Sequence, residues 1–325
     1  MDAHERFAPF LGEVETALEA QVGGAEVADS DILTFAARHL VLGSGKRARP
    51  LLVRIFADAL EVESPGVLDA AVAAELIHAA SLLHDDVVDL GMFRRGRPTV
   101  NARWGNTVAV MSGDLLLSGA LLRLSRAGAP LVTTALQTIS EMTRAAIVEV
   151  EARGKLELPL EQLKAISEGK TGSLFGWCGV AVSQLKGDPD ARTHFDKFGR
   201  GLGVAFQMAD DIRDVTGTDE GKSPFADIRS RTPSLPVLLA ARKDPAVKKR
   251  LTDAWGFAAL TPERGRELGA LVVESGVIDE AMKMMEAEIS RAVEALGPYA
   301  RTPSGERLVV WAQTLARGIA LRKAA

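Results

Sequence analysis

The stretch from Val67 to Leu90 holds neither proline nor glycine, is apolar for most of its length, and ends in His84-Asp85-Asp86-Val87-Val88-Asp89. A run of that length without a breaker predicts a long helix, and a helix apolar on most faces must be covered by other elements. Similar signals recur along the chain. Pro50 stands where a helix could begin, since proline lacks only an N–H that would be unpaired there. Pro130 opens a segment running to about Glu151, and Asp188-Pro189 opens one running to about Val215; Thr261-Pro262 and Thr302-Pro303 repeat the start signal. There is no alternating strand series, no Asn-Gly hairpin signal and no fixed-period repeat. A composition 47% hydrophobic but only 5% aromatic agrees with helices rather than strands. The expectation is one all-α domain over residues 1–325, with many helices packed around one another.

A net charge of −4 provides no global basic field, so nucleic acid is not an expected partner and any phosphate site must be local. Met1 to Glu19 lacks the apolar core of a secretory signal. Thr107 to Leu122 is apolar but carries Asp114 and is short for a bilayer, which predicts a buried core helix and no transmembrane segment. Cys178 is the single cysteine, so no internal disulfide can form, and a cytoplasmic location is expected.

Asp85 and Asp89 lie four residues apart and project from one helix face, where two carboxylates repel each other. Near a helix C-terminus the macrodipole disfavours them further. A solvated acidic helix end would explain one such cluster. The pattern recurs, however, in Phe206-Gln207-Met208-Ala209-Asp210-Asp211-Ile212-Arg213-Asp214, again inside an apolar helix. Two copies of so costly a feature point to a divalent cation and a polyphosphate shared between them, magnesium taking oxygen ligands from one or two carboxylates and from substrate phosphates.

Cations cluster as well. Gly45-Lys46-Arg47-Ala48-Arg49-Pro50 and Arg94-Arg95-Gly96-Arg97-Pro98-Thr99 each gather three, and Lys170-Thr171-Gly172 sets a lysine beside a hydroxyl. Arginine offers a planar fork for phosphate oxygens and lysine a mobile charge. The Lys170 triplet lacks the glycine spacing of a P-loop, which argues against a nucleotide site. His78 precedes Asp85 by two turns, roughly 20° away around the axis, and lies beside Glu75 on the acidic side. That alignment suits a diphosphate-facing role better than a metal ligand.

Taken together and in this order, Gly45-Lys46-Arg47-x-Arg49-Pro50, Asp85-Asp86-x-x-Asp89 with Arg94-Arg95-Gly96, Lys170-Thr171-Gly172, and Phe206-Gln207-x-x-Asp210-Asp211-x-x-Asp214 resemble the signature blocks of trans-isoprenyl diphosphate synthases. They spread over about residues 45–236. The resemblance implies a homodimer of mostly antiparallel helices around a central cavity, acting on isopentenyl diphosphate and an allylic diphosphate. It further implies that Asp85 and Asp89 bind two of three Mg²⁺ and that Asp210 binds the third, supported by Asp214. Arg94, Lys170 and Lys222 would hold the allylic diphosphate, with Thr171 and Gln207 near the developing cation. Lys46, Arg49, His78 and Arg95 would hold isopentenyl diphosphate. In one respect the chain departs from the family: Thr232 stands where a lysine is common, with Arg231 beside it.

The chemistry so implied is ionisation of an allylic C–O bond, attack by the isopentenyl double bond and loss of a proton to the departing diphosphate, no dedicated carboxylate base standing out. Fixed cations and Mg²⁺ stabilise the charge that develops, and an apolar cavity keeps water from the carbocation. Product length has its own signal. Ala73, Ile77, Ala80 and Ser81 occupy adjoining angles beside the Asp85 direction. The resemblance implies that bulky aromatics four or five places before the first Asp stop growth early, and those places are Ser81 and Ala80 here. The expected product is long, roughly six or more isoprene units, resembling octaprenyl-type synthases most. If the small residues merely pack a neighbouring helix, a geranylgeranyl or farnesyl product follows instead. A terpene cyclase would not need Lys46, Arg49 and His78, and a non-catalytic subunit would not keep both acidic blocks.

Overall fold

The computed structural model describes residues 3–23, 31–43, 45, 47–94, 96–217, 225–256 and 260–320. In chain order the helices are α1 Ala3–Arg6, α2 Ala8–Gly23, α3 Ile32–Val41, α4 Ala48–Ala59 and α5 Pro65–Val88, followed by strands β1 Phe93–Arg94 and β2 Arg97–Pro98. Then come α6 Val100–Trp104, α7 Asn106–Ser125, α8 Ala129–Ala152, α9 Leu160–Ser167, a π-helical turn Glu168–Gly172, α10 Ser173–Lys186 and α11 Pro189–Thr216. The remainder is α12 Ala226–Ser230, α13 Leu235–Lys243, α14 Pro245–Trp255, α15 Pro262–Glu274, α16 Ile278–Ala295, a 3₁₀ turn Gly297–Arg301 and α17 Pro303–Ala320. The fold is all-α, as expected. The helix starts read at Pro130, Asp188-Pro189, Thr261-Pro262 and Thr302-Pro303 fall within a residue or so of the observed ones. The hairpin β1–β2, pairing Phe93 with Pro98 and Arg94 with Arg97, was not expected: two residues per strand are too few for an alternation to register.

The helices group into two compact units, one formed by Met1–Ile139, Leu174–Asp196 and Arg301–Leu308, the other by Ser140–Ser173, Lys197–Ala300 and Val309–Ala325. In the first unit α5 is the central element. Ser64 caps it by accepting the Gly66 N–H, and Pro65 occupies the first turn. From Ala70 to Ile77 every residue is buried, so neighbours cover the helix on all sides, α4 and α7 among them. Leu51, Leu52 and Phe56 of α4 are fully buried, and the Phe56 ring stacks on Phe195 with centroids 4.6 Å apart. Phe175 and Trp177 of α10 complete this core. In the second unit Val204, Ile212, Leu235, Leu251, Leu268 and Met285 form one cluster drawn from α11, α13, α14, α15 and α16.

The expectation for Thr107 to Leu122 needs correcting. The helix α7 is longer than that stretch, long and apolar enough to cross a membrane, and only 39% of its most apolar window is buried, against 72% for α5. It packs on α5 along one side while Met111, Leu115 and Leu122 remain exposed. A period of about three to four residues buries only one stripe of a helix unless a second surface covers the other.

Candidate active site

In the first unit, α5 delivers Asp85 and Asp86 in its last turn, and Asp89 is its C-cap. Asp85 is half-buried and Asp89 exposed, whereas Asp86 is buried. The hairpin after α5 returns Arg94 onto this end. Its Nε lies 3.1 Å from both Asp86 oxygens and its Nη2 2.8 Å from Oδ1. The return is fixed locally: Thr99 Oγ1 donates to Gly91 O at 2.7 Å, and Asn101 Nδ2 donates to Gly91 O and Asp86 O. Burial works against the Arg94 charge, but its hydrogen bonds to Asp86 and the charges of Asp86, Asp85 and Asp89 raise its pKa. The guanidinium therefore offsets one of the three carboxylate charges, that of Asp86, to which it is bonded.

Two residues of the first basic block turn inward rather than to solvent. Arg47, in a left-handed conformation at φ 45°, donates to Glu15 Oε1 at 2.6 Å, to Glu75 Oε1 at 2.9 Å and to Val41 O. Glu75 is thus spent on Arg47 and does not face a ligand beside His78. Arg49 is buried too, its guanidinium carbon 4.8 Å from the centre of the Phe175 ring. His78 is half-buried on α5, its carbonyl accepting the Ser81 hydroxyl at 2.8 Å. Ala73, Ile77 and Ala80 are buried and Ser81 is half-buried. Lys46 and Arg95 lie outside the described residues, as does Lys222.

In the second unit the structure brings the Lys170 triplet and the second acidic motif together. Lys170, Thr171 and Gly172 sit on the π-helical turn, a one-residue widening that redirects side chains and recurs at functional sites. Thr171 Oγ1 donates to Gln207 Oε1 at 3.0 Å, and Gln207 Nε2 donates to Asp211 Oδ1 at 2.9 Å. The approach needs small residues: a Cβ on Gly172 would come within 2.7 Å of Arg200 O, and one on Gly203 within 2.5 Å of Gly172 Cα. Lys170 Nζ pairs with Glu149 Oε2 at 2.5 Å. Asp210 is half-buried and accepts from Arg213 Nη2 at 2.7 Å.

Asp211 and Asp214 point into the fold. Asp211 Oδ2 accepts the Leu235 N–H at 3.0 Å. Burial pushes its carboxyl up to about 7; the Gln207 and Leu235 hydrogen bonds oppose this, and the negative charges of Asp210 and Glu149 add to it. Asp214 accepts from Ala226 N at 2.8 Å and from Asp227 N at 3.1 Å, tying the end of α11 to the start of α12. The Arg231 carbonyl accepts the Gly154 N–H at 2.8 Å. Glu149 and the pair Glu141–Arg200, 2.6 Å at its shorter contact, escaped the sequence reading. A lone acid on the amphipathic α8 looks like any solvated charge until its partner is seen.

The oxygen donors fit a hard divalent cation. Among the described residues no three His, Cys, Asp or Glu side chains converge into a ready-made cage. Such a cage is not what Mg²⁺ requires, since it keeps waters and takes substrate phosphates beside one or two carboxylates.

A family model described as polyprenyl synthetase matches residues 30–267. The chain is 32% identical over 296 residues to the nonaprenyl diphosphate synthase of Mycobacterium tuberculosis, which covers 89% of this chain and 83% of that one. It is 36% identical over 218 residues to a (2E,6E)-farnesyl diphosphate synthase of Mycobacterium bovis, covering 65% of this chain and 60% of that one. The crystal structure of a polyprenyl synthase from Caulobacter crescentus, complexed with calcium and isoprenyl diphosphate, superimposes with a TM-score of 0.89 at 26% identity, over 99% of this chain and 97% of the other. The chain therefore belongs to the polyprenyl synthetase family and is a trans-prenyltransferase, a polyprenyl diphosphate synthase.

Proposed function

We propose that residues 1–325 act as one catalytic domain that adds isopentenyl diphosphate head to tail to an allylic diphosphate, giving a long all-trans polyprenyl diphosphate of octaprenyl type. The small residues Ser81 and Ala80, four and five places before Asp85, carry the reading of length. In a long helix they leave the turn beneath the reacting end without an aromatic floor. The nonaprenyl relative matching more of the chain than the farnesyl one supports the same reading.

In this reading Asp85 and Asp89 hold two Mg²⁺ and Asp210 a third, Asp214 supporting it by anchoring α12. When bound, the ions neutralise the charge that develops on the departing diphosphate. Arg94, Lys170 and Lys222 bind the allylic diphosphate, and Lys46, Arg49, His78 and Arg95 orient isopentenyl diphosphate. Arg94 and Lys170 are held in readiness by Asp86 and Glu149. The Thr171–Gln207 pair presents oxygen dipoles to the developing cation. We infer a homodimer formed through the exposed stripe Met111, Leu115 and Leu122 of α7, and a cytoplasmic enzyme, in keeping with its single free, buried Cys178.

The test is direct. Purified protein, labelled isopentenyl diphosphate, farnesyl diphosphate and Mg²⁺ should release diphosphate only when both substrates are present, and chromatography should size the product as long-chain. Ala80→Tyr should shorten it. A C15 or C20 product from the unaltered enzyme would overturn the long-chain reading, and an unchanged distribution in Ala80→Tyr would remove this stripe from the tunnel wall.

A further inference from the structure

In the first unit an open cleft of ≈ 600 Å³ lies between α3, β2 and α6, lined by none of the residues of the acidic motifs. Three of its described lining residues are arginines, Arg38, Arg97 and Arg103, and none of the described ones is acidic. Its apolar wall is open to solvent: Ile32 is 46% exposed and Phe35 50%. Trp104 forms the floor on the α6 side. Its ring is held by Arg103, whose guanidinium carbon lies 4.5 Å from the ring centroid, and by an edge contact with His39 at 5.3 Å. His39 Nε2 in turn lies 2.8 Å from Pro98 O, joining α3 to β2.

We propose that this face docks on the surface of an anionic phospholipid bilayer. Charge complementarity carries the argument. The chain as a whole is negative, so three guanidiniums around a cleft with no carboxylate among its described lining residues make a local field opposite in sign to the net charge of the chain. Arginine forks fit phosphodiester oxygens, while Trp104 and the exposed Phe35 and Ile32 suit the headgroup boundary, where amphipathic rings and aliphatic groups settle. A soluble polyanion would satisfy the arginines and leave the apolar rim in water. The inference stands whatever the length of the product.

Three of the four tryptophans, Trp177, Trp255 and Trp311, are buried, so Trp104 is the natural reporter. Co-sedimentation with vesicles of phosphatidylglycerol and phosphatidylcholine, read beside tryptophan emission, makes the test. The full-length protein should partition onto mixed vesicles but not onto pure phosphatidylcholine, with a blue shift of emission. Each arginine near an anionic surface is worth about fivefold in partitioning, so Arg38→Gln/Arg103→Gln should lose about 25-fold while keeping its melting temperature and its turnover of soluble substrates. Trp104→Phe should keep binding and lose the emission shift. If the double variant fails to fold, Phe35→Ser serves, with a several-fold loss expected. Absence of vesicle binding, or equal binding by wild type and the arginine double variant (or Phe35→Ser in its place), overturns the proposal. So does an emission change saturated by inorganic diphosphate without vesicle partitioning, which would make the cleft a soluble-anion site. A change of oligomeric state in the variants with vesicle binding intact would make it a contact between copies, and equally overturn it.

Discussion

Gly203 of α11 lies so close to Gly172 of the π-helical turn that a Cβ on Gly203 would sit 2.5 Å from the Gly172 Cα. This backbone-to-backbone contact sets the distance between two motifs widely separated in sequence, and the Thr171–Gln207 hydrogen bond spans the gap it leaves. Gly203→Ala should therefore push the motifs apart. Overpacking of this kind costs about 1–3 kcal/mol, and turnover should fall further than stability because Thr171 no longer reaches Gln207. Urea unfolding alongside steady-state kinetics checks both; unchanged kcat would show that the contact does not position the pair.

Asp86 is predicted to hold Arg94 in place for substrate rather than to touch substrate itself. Asp86→Asn removes one partner of an ion pair whose side chains are only 8% and 13% exposed, which should cost about 3 kcal/mol. Arg94→Lys should not rescue function, because a point charge cannot reproduce the fork that meets both Asp86 oxygens. A double-mutant cycle with Arg94→Met, read by thermal unfolding and by KM for the allylic substrate, measures the coupling. A coupling near zero would sink the assignment.

Cys178 should be inert in the folded protein. Burial pushes its thiol up to about 12, well above the pH of any ordinary labelling reaction, despite the nearby charge of Arg49. A maleimide or disulfide reagent at pH 8 should modify the native chain negligibly and the denatured chain at one site. Rapid native labelling would mean that the first unit opens around α10.

Acid should weaken the tie between α4 and α17. Burial alone would raise the Asp58 carboxyl, but the Arg307 hydrogen bond and charge, with help from Arg6 and Ser304, hold it below its ordinary range. A carboxylate with a lowered folded pKa contributes stability that is complete above its unfolded pKa, about 4, and is lost as pH falls through the folded value. The urea midpoint should thus fall below about pH 4, and more shallowly in Asp58→Asn. The contribution is modest, because the Arg307 side chain is 40% exposed and solvent screens the pair.

The sequence alone determined the helical class, the helix starts at its prolines, and the blocks that place the chain in its family. These are local matters: a breaker-free apolar run makes a helix wherever it sits, and an acidic pair four residues apart shares a face by helical geometry alone. Tertiary structure decided how the charges are spent. Arg47 reads like any solvated cation of its basic block in the sequence, yet Glu15 and Glu75, from two other helices, draw it inward. The clustered carboxylates read in the sequence as a place for a divalent cation; in the fold Asp86 also pairs with Arg94 and Asp210 with Arg213, contacts that no spacing announces. Glu149 gained its role only when α8 was laid beside the widened turn carrying Lys170. Burial and pairing depend on which surfaces meet, and those meetings join residues far apart along the chain, where no spacing rule reaches.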